Sequence, residues 1–223
     1  MQKNIRNIIP EKYKNYDIEK IEGGASKRIY YRLKKNNFSI ILLDSSLEAV
    51  EFKKFLNVHK ILTQVNISIP HIIESNNSTN TILLEDFGNL RFDKILNNFN
   101  LKDLLGPAIE TISIVKQKIK FNKNYNLPVY NIDILKKEIS EFIDFFYPYV
   151  RKTKLHQDLI NEFYYCWEKK YNNINFSFNS FVHKDYNINN LFFLPNREYH
   201  KKCGVIDFQD AFWGEDCWDL FSL

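Results

Sequence analysis

The chain has 223 residues, and 44% of them are apolar, which is enough to bury the core of one large domain or of two small lobes. Its 31 basic and 27 acidic residues are interleaved along the chain, so the formal net charge of +4 does not indicate the clustered basic face of a nucleic-acid-binding protein. No segment approaches the roughly 20 apolar residues of a membrane span, and the first residues contain no apolar stretch long enough for a signal peptide.

The cysteines narrow the class of protein further. Cys166, Cys203 and Cys217 lie far apart and form no CxxC pair, which argues against a zinc site and against a disulfide framework. We therefore expect a cytoplasmic protein with reduced thiols, with neither nucleic acid nor a membrane as its partner. The sequence leaves the oligomeric state open.

The first part of the chain carries a β-rich pattern around one helix. The runs "SKRIYYRL" (26–33) and "FSIILLD" (38–44) are separated by a short polar stretch and predict a hairpin. The next segment has apolar residues at helical spacing, and Ser45 with Glu48 fits a capping box at its start. "IPHII" and "NTILLEDFG" (80–88) add more strand. The first 85 or so residues therefore predict the order strand, strand, helix, strand, strand.

The rest of the chain changes to a helical pattern. Four segments between residues 91 and about 172 carry apolar residues at spacings of three and four. Two short apolar runs then follow, "NLFFL" (190–194) and "CGVIDF" (203–208), and the loop between them predicts a second hairpin. We expect two lobes with a cleft between them, residues 1–88 forming a β lobe and residues 89–223 a helical lobe.

Four polar residues surround the second predicted hairpin. His183, Asp185 and Asn190 lie in the loop before its first strand, and Asp207 lies at the end of its second strand. An antiparallel hairpin brings Asn190 and Asp207 close together, and oxygen ligands of this kind suit Mg²⁺ and phosphate. Asp185 can then orient an attacking hydroxyl and accept its proton. Each residue alone can be explained as a structural residue of a loop, a turn or a strand end. Only their joint order along the chain favours a catalytic and metal-binding role.

Four stretches together resemble the aminoglycoside phosphotransferase family, and within it the bacterial N-acetylmuramate/N-acetylglucosamine anomeric kinases. They are "GGASKRIYYRL" (23–33), "ILLEDFGN" (82–89), "HKDYNINNLFFL" (183–194) and "GVIDFQDAFWGEDCWDLFSL" (204–223). The resemblance implies an α+β, two-lobed protein-kinase-like fold. Its N-terminal lobe would be an antiparallel β lobe with one helix, and its C-terminal lobe mainly helical.

The resemblance also implies roles for the residues around the second hairpin. Asp185 would be the catalytic base, and Asn190 and Asp207 the Mg²⁺ ligands. His183 would brace the catalytic loop, and Asp219 would tie it down. Lys184 stands where Gly or Arg is usual in related kinases and would keep positive charge near the transferred phosphate.

The nucleotide would lie against the N-terminal lobe. The strand "FSIILLD" lacks the lysine that pairs with phosphates in related kinases, so we expect Arg28 and Arg32 to supply the charge, with Arg32 also meeting Glu48 or Glu51. "LLEDFG", which includes Glu85, would be the hinge that faces the adenine. The turn over the nucleotide phosphates would consist of Gly23, Gly24, Ala25 and Ser26.

The activity implied by the resemblance is an ATP- and Mg²⁺-dependent transfer of the γ-phosphate to a hydroxyl of a small molecule. An amino sugar phosphorylated at its anomeric position, in cell-wall recycling, is the first expectation for the acceptor. An aminoglycoside- or choline-type kinase is an alternative. Related kinases continue beyond "WDLFSL" into further helices, so we expect either a fragment of a longer protein or a C-terminally truncated, inactive pseudokinase as a further alternative. A protein kinase is disfavoured because the chain has neither a DFG nor an APE-like segment.

Overall fold

The N-terminal part of the molecule is a five-stranded antiparallel sheet with one helix. A computed structural model describes residues 5–21 and 27–223. The strands are β1 (Asp17–Ile21), β2 (Ile29–Lys35), β3 (Phe38–Asp44), β4 (Ile72–Asn76) and β5 (Thr81–Glu85), and helix α1 (Ala49–Leu62) connects β3 to β4. Their order across the sheet is β1-β2-β3-β5-β4. The predicted hairpin is confirmed as β2–β3, and β1 is an additional strand that the sequence analysis missed.

Apolar runs explain which strands lie in the centre of this sheet. β3 and β5 carry nearly continuous buried residues, because both faces of the central strands are covered. β1 is mostly exposed, and its pattern "DIEKI" carries little of the β-branched and aromatic signal that predicts a strand. The edge position of β1 explains why it was missed.

The predicted capping box is wrong. Helix α1 begins at Ala49, and no side chain caps its first turn. The backbone N–H of Glu48 instead donates to the carbonyl of Ser45 at 2.8 Å, so the residues ahead of the helix form a turn. The buried face of α1 packs on the sheet through five apolar residues, Phe52, Phe55, Val58, Ile61 and Leu62.

The remainder of the chain is mainly helical, as expected. Its α-helices are α2 (Phe92–Ile95), α3 (Leu101–Lys118), α4 (Ile132–Glu141), α5 (Tyr147–Arg151), α6 (Gln157–Asn173) and α7 (Trp218–Ser222), and a π-helical turn (Phe142–Phe146) joins α4 to α5. Short 3-10 helices occur at Ile5–Asn7, Glu11–Tyr13, Leu96–Asn98, Lys123–Tyr125, Ile188–Asn190 and His200–Lys202. Among the described residues, no helix is long and apolar enough to cross a membrane.

Two small antiparallel pairs lie within the helical part. The strands are β6 (Ser180–Val182), β7 (Leu191–Phe193), β8 (Cys203–Val205) and β9 (Phe212–Gly214), and β7 pairs with β8 while β6 pairs with β9. The β7–β8 pair confirms the second predicted hairpin, and the β6–β9 pair was not predicted. The α+β fold class with an N-terminal antiparallel sheet is therefore confirmed. The division into domains at residue 88 stays a prediction.

One apolar core runs from the sheet into the helical part. It contains Leu43 and Ile82 of the sheet, Phe55 of α1, Leu104 of α3 and Trp213 of β9. A smaller cluster covers the other face of the sheet, where the N-terminal residues pack on it. The shared core fixes the β7–β8 hairpin against α1 and β5, which positions the residues described below.

Gly204 tests how tightly the β7–β8 hairpin is packed. A Cβ at this position would lie 2.6 Å from the ring of Phe87 and 2.9 Å from Leu194. We expect Gly204→Ala to lower the free energy of unfolding by about 1–3 kcal/mol, measured by urea titration, because the added methyl group would overlap the Phe87 ring and the buried Leu194 side chain.

Gly106→Ala is the matched control. Its Cβ would meet only the tip of the exposed Tyr199 side chain, which can move away, and alanine is favoured over glycine inside a helix. The control should be neutral or stabilising. Equal losses in the two variants would contradict the packing argument.

Candidate active site

One buried carboxylate binds the backbone of the loop between β6 and β7. Asp219, at the start of α7, is 2% exposed, and its two oxygens accept the backbone N–H groups of His183 (3.0 Å) and Lys184 (3.1 Å). Lys184 has a φ of 83°, a left-handed conformation that is uncommon for a residue with a side chain. These bonds tie the loop down, as predicted for Asp219.

His183 links the same loop to the segment after β8. The side chain is 4% exposed, and its Nε2 lies 3.0 Å from the carbonyl oxygen of Ile206. Burial lowers the pKa of His183, with the nearby Asp219 opposing the shift. The imidazole is therefore neutral at neutral pH, and it donates from Nε2 to the carbonyl.

Asp185 lies two residues further along, exposed to solvent at the surface of the loop. Desolvation raises the pKa of its carboxyl above the ordinary value, Lys184 opposes this, and Asp207 adds to it. Its backbone carbonyl accepts the side-chain amide of Asn190 at 2.9 Å. That bond uses the amide nitrogen of Asn190 and leaves its Oδ1 to face another group.

The β7–β8 hairpin brings Asn190 and Asp207 together, as the antiparallel pairing predicts. Leu191 pairs with Val205, and the N–H of Ile206 donates to the carbonyl of Asn190 at 3.1 Å. Asp207 therefore lies diagonally across from Asn190. Its backbone has a φ of 62°, which aspartate tolerates better than most residues.

The oxygens of Asn190 and Asp207 fit a magnesium ion. Mg²⁺ takes one or two protein oxygens and completes its shell with water and phosphate. In residues 5–21 and 27–223, no group of three or more His, Cys, Asp or Glu residues could hold a metal, so a fully protein-bound site is not found there. One carboxylate and one amide oxygen beside a cavity match the small number of protein ligands needed by a metal that binds together with a nucleotide.

A cavity of about 510 Å³ opens between the N-terminal sheet and this hairpin. Asn190 and Asp207 line one wall, and Arg32 with the segment 85–89 lines another. The apolar part of the lining is formed by Ile21, Tyr30, Ile41, Phe55, Leu84, Phe192, Ile206 and Phe208, among others. The volume and the mixture of an apolar wall with a few polar groups are typical of a small-molecule site.

The remaining predicted binding residues are distributed unevenly around the cavity. Glu85 lines it, but its carboxylate is paired with Arg197 and also accepts the N–H of His71 at 3.3 Å. Its role at the hinge stays a prediction. The predicted phosphate turn, Gly23, Gly24, Ala25 and Ser26, lies outside the described residues.

Arg32 does not pair with Glu48 or Glu51, and that part of the sequence analysis is wrong. Its Nε lies 2.7 Å from Oδ2 of Asp86, and its Nη2 donates to Oδ1 at 2.9 Å. Further bonds reach the carbonyl of Gly88 (2.8 Å) and Oδ1 of Asn89 (2.7 Å). The guanidinium therefore clamps the segment after β5 to β2. A direct role for Arg32 in nucleotide binding stays a prediction.

Arg28 lies beside the candidate metal ligand. Its Nη2 is 3.3 Å from Oδ1 of Asp207, and that oxygen also accepts Nε2 of Gln209 at 3.1 Å. On β3, Leu42 and Leu43 are almost fully buried in the region where the sequence analysis noted that a lysine is missing. Arg28 is thus the predicted phosphate-binding cation that adjoins the candidate metal ligand, and its role stays a prediction.

Sequence reasoning did not single out Asp86 or Glu138. Asp86 pairs with Arg32 across the sheet, and Glu138 on α4 pairs with Lys184 of the loop. Each pair joins segments more than 40 residues apart in the sequence, so no local spacing reveals it. The one available signal for Asp86 was its place in "LLEDFG", directly after a buried strand.

The comparisons with known proteins agree with this geometry. Residues 154–223 match the model of the phosphotransferase enzyme family. The chain is 26% identical over 200 residues to the N-acetylmuramate/N-acetylglucosamine kinase of Pseudomonas aeruginosa, covering 89% of this chain and 56% of that protein. It is 24% identical over 225 residues to the kinase of the same name from Neisseria meningitidis, covering 98% of this chain and 64% of that protein. The chain thus spans less than two thirds of either relative.

Solved structures show the same fold. The streptomycin–ATP complex of the aminoglycoside phosphotransferase APH(2")-IIa superposes with a TM-score of 0.68 at 16% identity, covering 100% of this chain and 75% of that one. Choline kinase LicA from Streptococcus pneumoniae gives a TM-score of 0.67 at 15% identity, covering 99% and 74%. The predicted resemblance to the aminoglycoside phosphotransferase family is confirmed. These identities are low, so the structural similarity establishes the fold of the phosphotransferase family and not the acceptor.

The Arg32–Asp86 pair generates a stability prediction. The Asp86 side chain is 4% exposed, so Arg32→Met leaves a buried carboxylate without its cation, and we expect a loss of about 3–5 kcal/mol in the free energy of unfolding. Lys34→Met is the matched control, because Lys34 lies two residues along the same strand and pairs with Glu19 in solvent. Its loss should be about 0–1 kcal/mol. Urea unfolding measures both, and equal losses would contradict the assignment of Arg32 as a structural clamp.

His183 generates a prediction about acid stability. The folded protein lowers the pKa of His183, whereas the unfolded chain has the ordinary value of about 6.5, so the unfolded state binds more protons. The stabilisation is fully present above that pH and is lost as the pH falls below it, by at most about 1.4 kcal/mol per pH unit. His183→Gln, whose amide can still donate to Ile206, should reduce this slope between about pH 6.5 and 5. His156→Gln, at an exposed position, is the control; an unchanged slope in His183→Gln would show that other groups carry it.

Proposed function

We propose that the protein is an ATP- and Mg²⁺-dependent phosphotransferase that moves the γ-phosphate to a hydroxyl of a small molecule. The observation that carries the proposal is the arrangement around the β7–β8 hairpin. Asn190 and Asp207 meet at one wall of the cavity, and the loop that carries Asp185 is braced directly beside them. The match of residues 154–223 to the phosphotransferase family supports the same reaction.

The nucleotide would bind in the cavity between the sheet and the hairpin. Its apolar lining suits a purine base, and the segment 85–89 would meet the base as the hinge. Asn190 and Asp207 would hold Mg²⁺, which supplies positive charge to the phosphate oxygens when it is bound. Arg28, beside Asp207, would contribute further positive charge there.

Asp185 would act on the acceptor. It orients the hydroxyl and accepts its proton as the new bond from oxygen to the γ-phosphorus forms. The bond between the γ-phosphorus and the β,γ-bridging oxygen breaks, and ADP leaves. His183 and Asp219 act indirectly, because their bonds to the loop keep Asp185 in one position.

The acceptor that we propose is an amino sugar, N-acetylmuramate or N-acetylglucosamine, phosphorylated at the anomeric hydroxyl. Two relatives that bear this name align with 89% and 98% of the chain. Aminoglycoside and choline kinases share the fold, but at 15–16% identity they do not favour a second acceptor. Cell-wall recycling and a cytoplasmic location stay predictions, as do the absence of a nucleic-acid or membrane partner and the alternative of an inactive pseudokinase.

The carboxylates of the site provide the test. In ³¹P NMR with Mg·ATP and either sugar, we expect a sugar-1-phosphate resonance. Asp185→Ala should lower kcat by about 10²–10⁴-fold because the hydroxyl loses its base. The affinity for ATP should stay within about threefold, since Asp185 does not line the nucleotide cavity. Asp207→Ala should weaken Mg·ATP binding as well.

Asp158→Ala is the control for both substitutions, because Asp158 is an exposed aspartate on α6. It should retain activity and nucleotide affinity. Equal transfer by wild type and Asp185→Ala would contradict the mechanism. Binding of ATP without transfer to any sugar, aminoglycoside or choline would favour the pseudokinase.

A further inference from the structure

A second ion pair stands next to Asp185 and takes no part in the nucleotide cavity. The Nζ of Lys184 lies 3.1 Å from Oε1 of Glu138, and their side chains are 36% and 33% exposed. Lys184 is the residue directly before Asp185. The sequence analysis expected it near the transferred phosphate, whereas its ammonium group points to α4.

Glu138 is held firmly in this position. Its second oxygen, Oε2, accepts the hydroxyl of the buried Tyr130 at 2.9 Å. Burial, together with the bond to Glu138, raises the pKa of the Tyr130 phenol, so the hydroxyl remains a donor. The start of α4 is capped by Asn131, whose Oδ1 accepts the N–H groups of Asp133 and Ile134 at 3.0 Å each. A fixed carboxylate therefore holds the ammonium group of Lys184 in place.

The Lys184–Glu138 pair lies near Asp185 but outside the nucleotide cavity. The described residues that line the nucleotide cavity include Asn190 and Asp207 but neither Lys184 nor Glu138. In-line transfer requires the acceptor to approach the γ-phosphate from the side opposite the leaving ADP. Lys184 directly precedes Asp185, and its charge opposes the upward shift in the pKa of that carboxyl, so the pair lies near Asp185 and outside the nucleotide cavity. In the proposed mechanism, this is the side on which the acceptor would approach.

The chemistry of the pair favours an acidic acceptor. The ammonium group of Lys184 is partly exposed, and its single ion pair uses only part of its donor capacity, so it retains donors for another carboxylate. The two sugars in the names of the relatives differ in this respect, since N-acetylmuramate carries a lactyl ether with a carboxylate and N-acetylglucosamine does not. A cation beside the reacting hydroxyl can distinguish the two.

We propose that Lys184 is a specificity-determining residue that binds the carboxylate of an acidic amino sugar, and that Glu138 is the positioning residue that holds Lys184 on the acceptor side of Asp185. This inference rests on the proposed function. It goes further by assigning a preference between the two sugars to one side chain.

The test is the ratio of kcat/KM for N-acetylmuramate to kcat/KM for N-acetylglucosamine, measured with saturating Mg·ATP. Lys184→Gln should lower this ratio at least about fivefold, because only the acidic sugar loses a charged partner. Lys184→Arg, which keeps the charge, should retain most of the ratio. Glu138→Gln should also change the ratio, because the lysine loses the carboxylate that positions it. Thermal unfolding of each variant checks that it is folded.

The outcomes separate the two proposals. A loss that is equal for the two sugars in Lys184→Gln would mean that Lys184 acts on the transferred phosphate or on the loop, and it would overturn this inference alone. Unchanged kcat/KM values for both sugars in Lys184→Gln would do the same. Transfer to neither sugar by the wild-type protein would overturn the proposed acceptor, and this inference with it.

Discussion

The buried carboxylate of Asp219 is the constraint on which the candidate site depends. Its two oxygens accept the backbone N–H groups of His183 and of Lys184, whose φ is in the left-handed region. Without this carboxylate, both N–H groups would lose their hydrogen-bond acceptor. With both N–H groups bound, the backbone of Lys184 is held in its left-handed conformation, which fixes the position of the next residue, Asp185. Lys116 lies 3.9 Å from the same carboxylate and compensates part of its charge. The loop that carries the candidate catalytic side chain is thereby fixed at two backbone positions.

The opposite wall of the cavity is organised by a different buried charge. Arg32 and Asp86 form a two-point contact that joins β2 to the segment leading into the helical part. A pair of this kind adds little net stability compared with apolar residues, but it fixes geometry because only one arrangement satisfies both partners. Further bonds from Arg32 to Gly88 and Asn89 attach the rest of the segment 86–89 to β2.

The charges around Asp185 differ between its two sides. Towards the cavity, Oδ1 of Asp207 is paired with Arg28 and with the side-chain amide of Gln209. Towards α4, Lys184 and Glu138 form a partly exposed pair. The Arg28 side chain is 8% exposed and the Lys184 side chain 36%, so the cation on the cavity side is the more buried of the two.

Local pattern was sufficient for much of this protein, and tertiary contacts decided the rest. Side-chain periodicity predicted the β2–β3 and β7–β8 hairpins, helix α1 and the long helices. The candidate site followed from the order of His183, Asp185, Asn190 and Asp207, because an antiparallel hairpin brings the start of its first strand close to the end of its second. Strand β1 and the β6–β9 pair could not be predicted, because a short or polar strand is defined by its partner and not by its own residues. The same reason applies to the partners of Arg32 and Lys184. The sequence by itself determined the two hairpins, the long helices and the group of candidate site residues. Only the tertiary structure decided which charges meet, since Coulomb contacts depend on distances that the folded chain sets between remote segments.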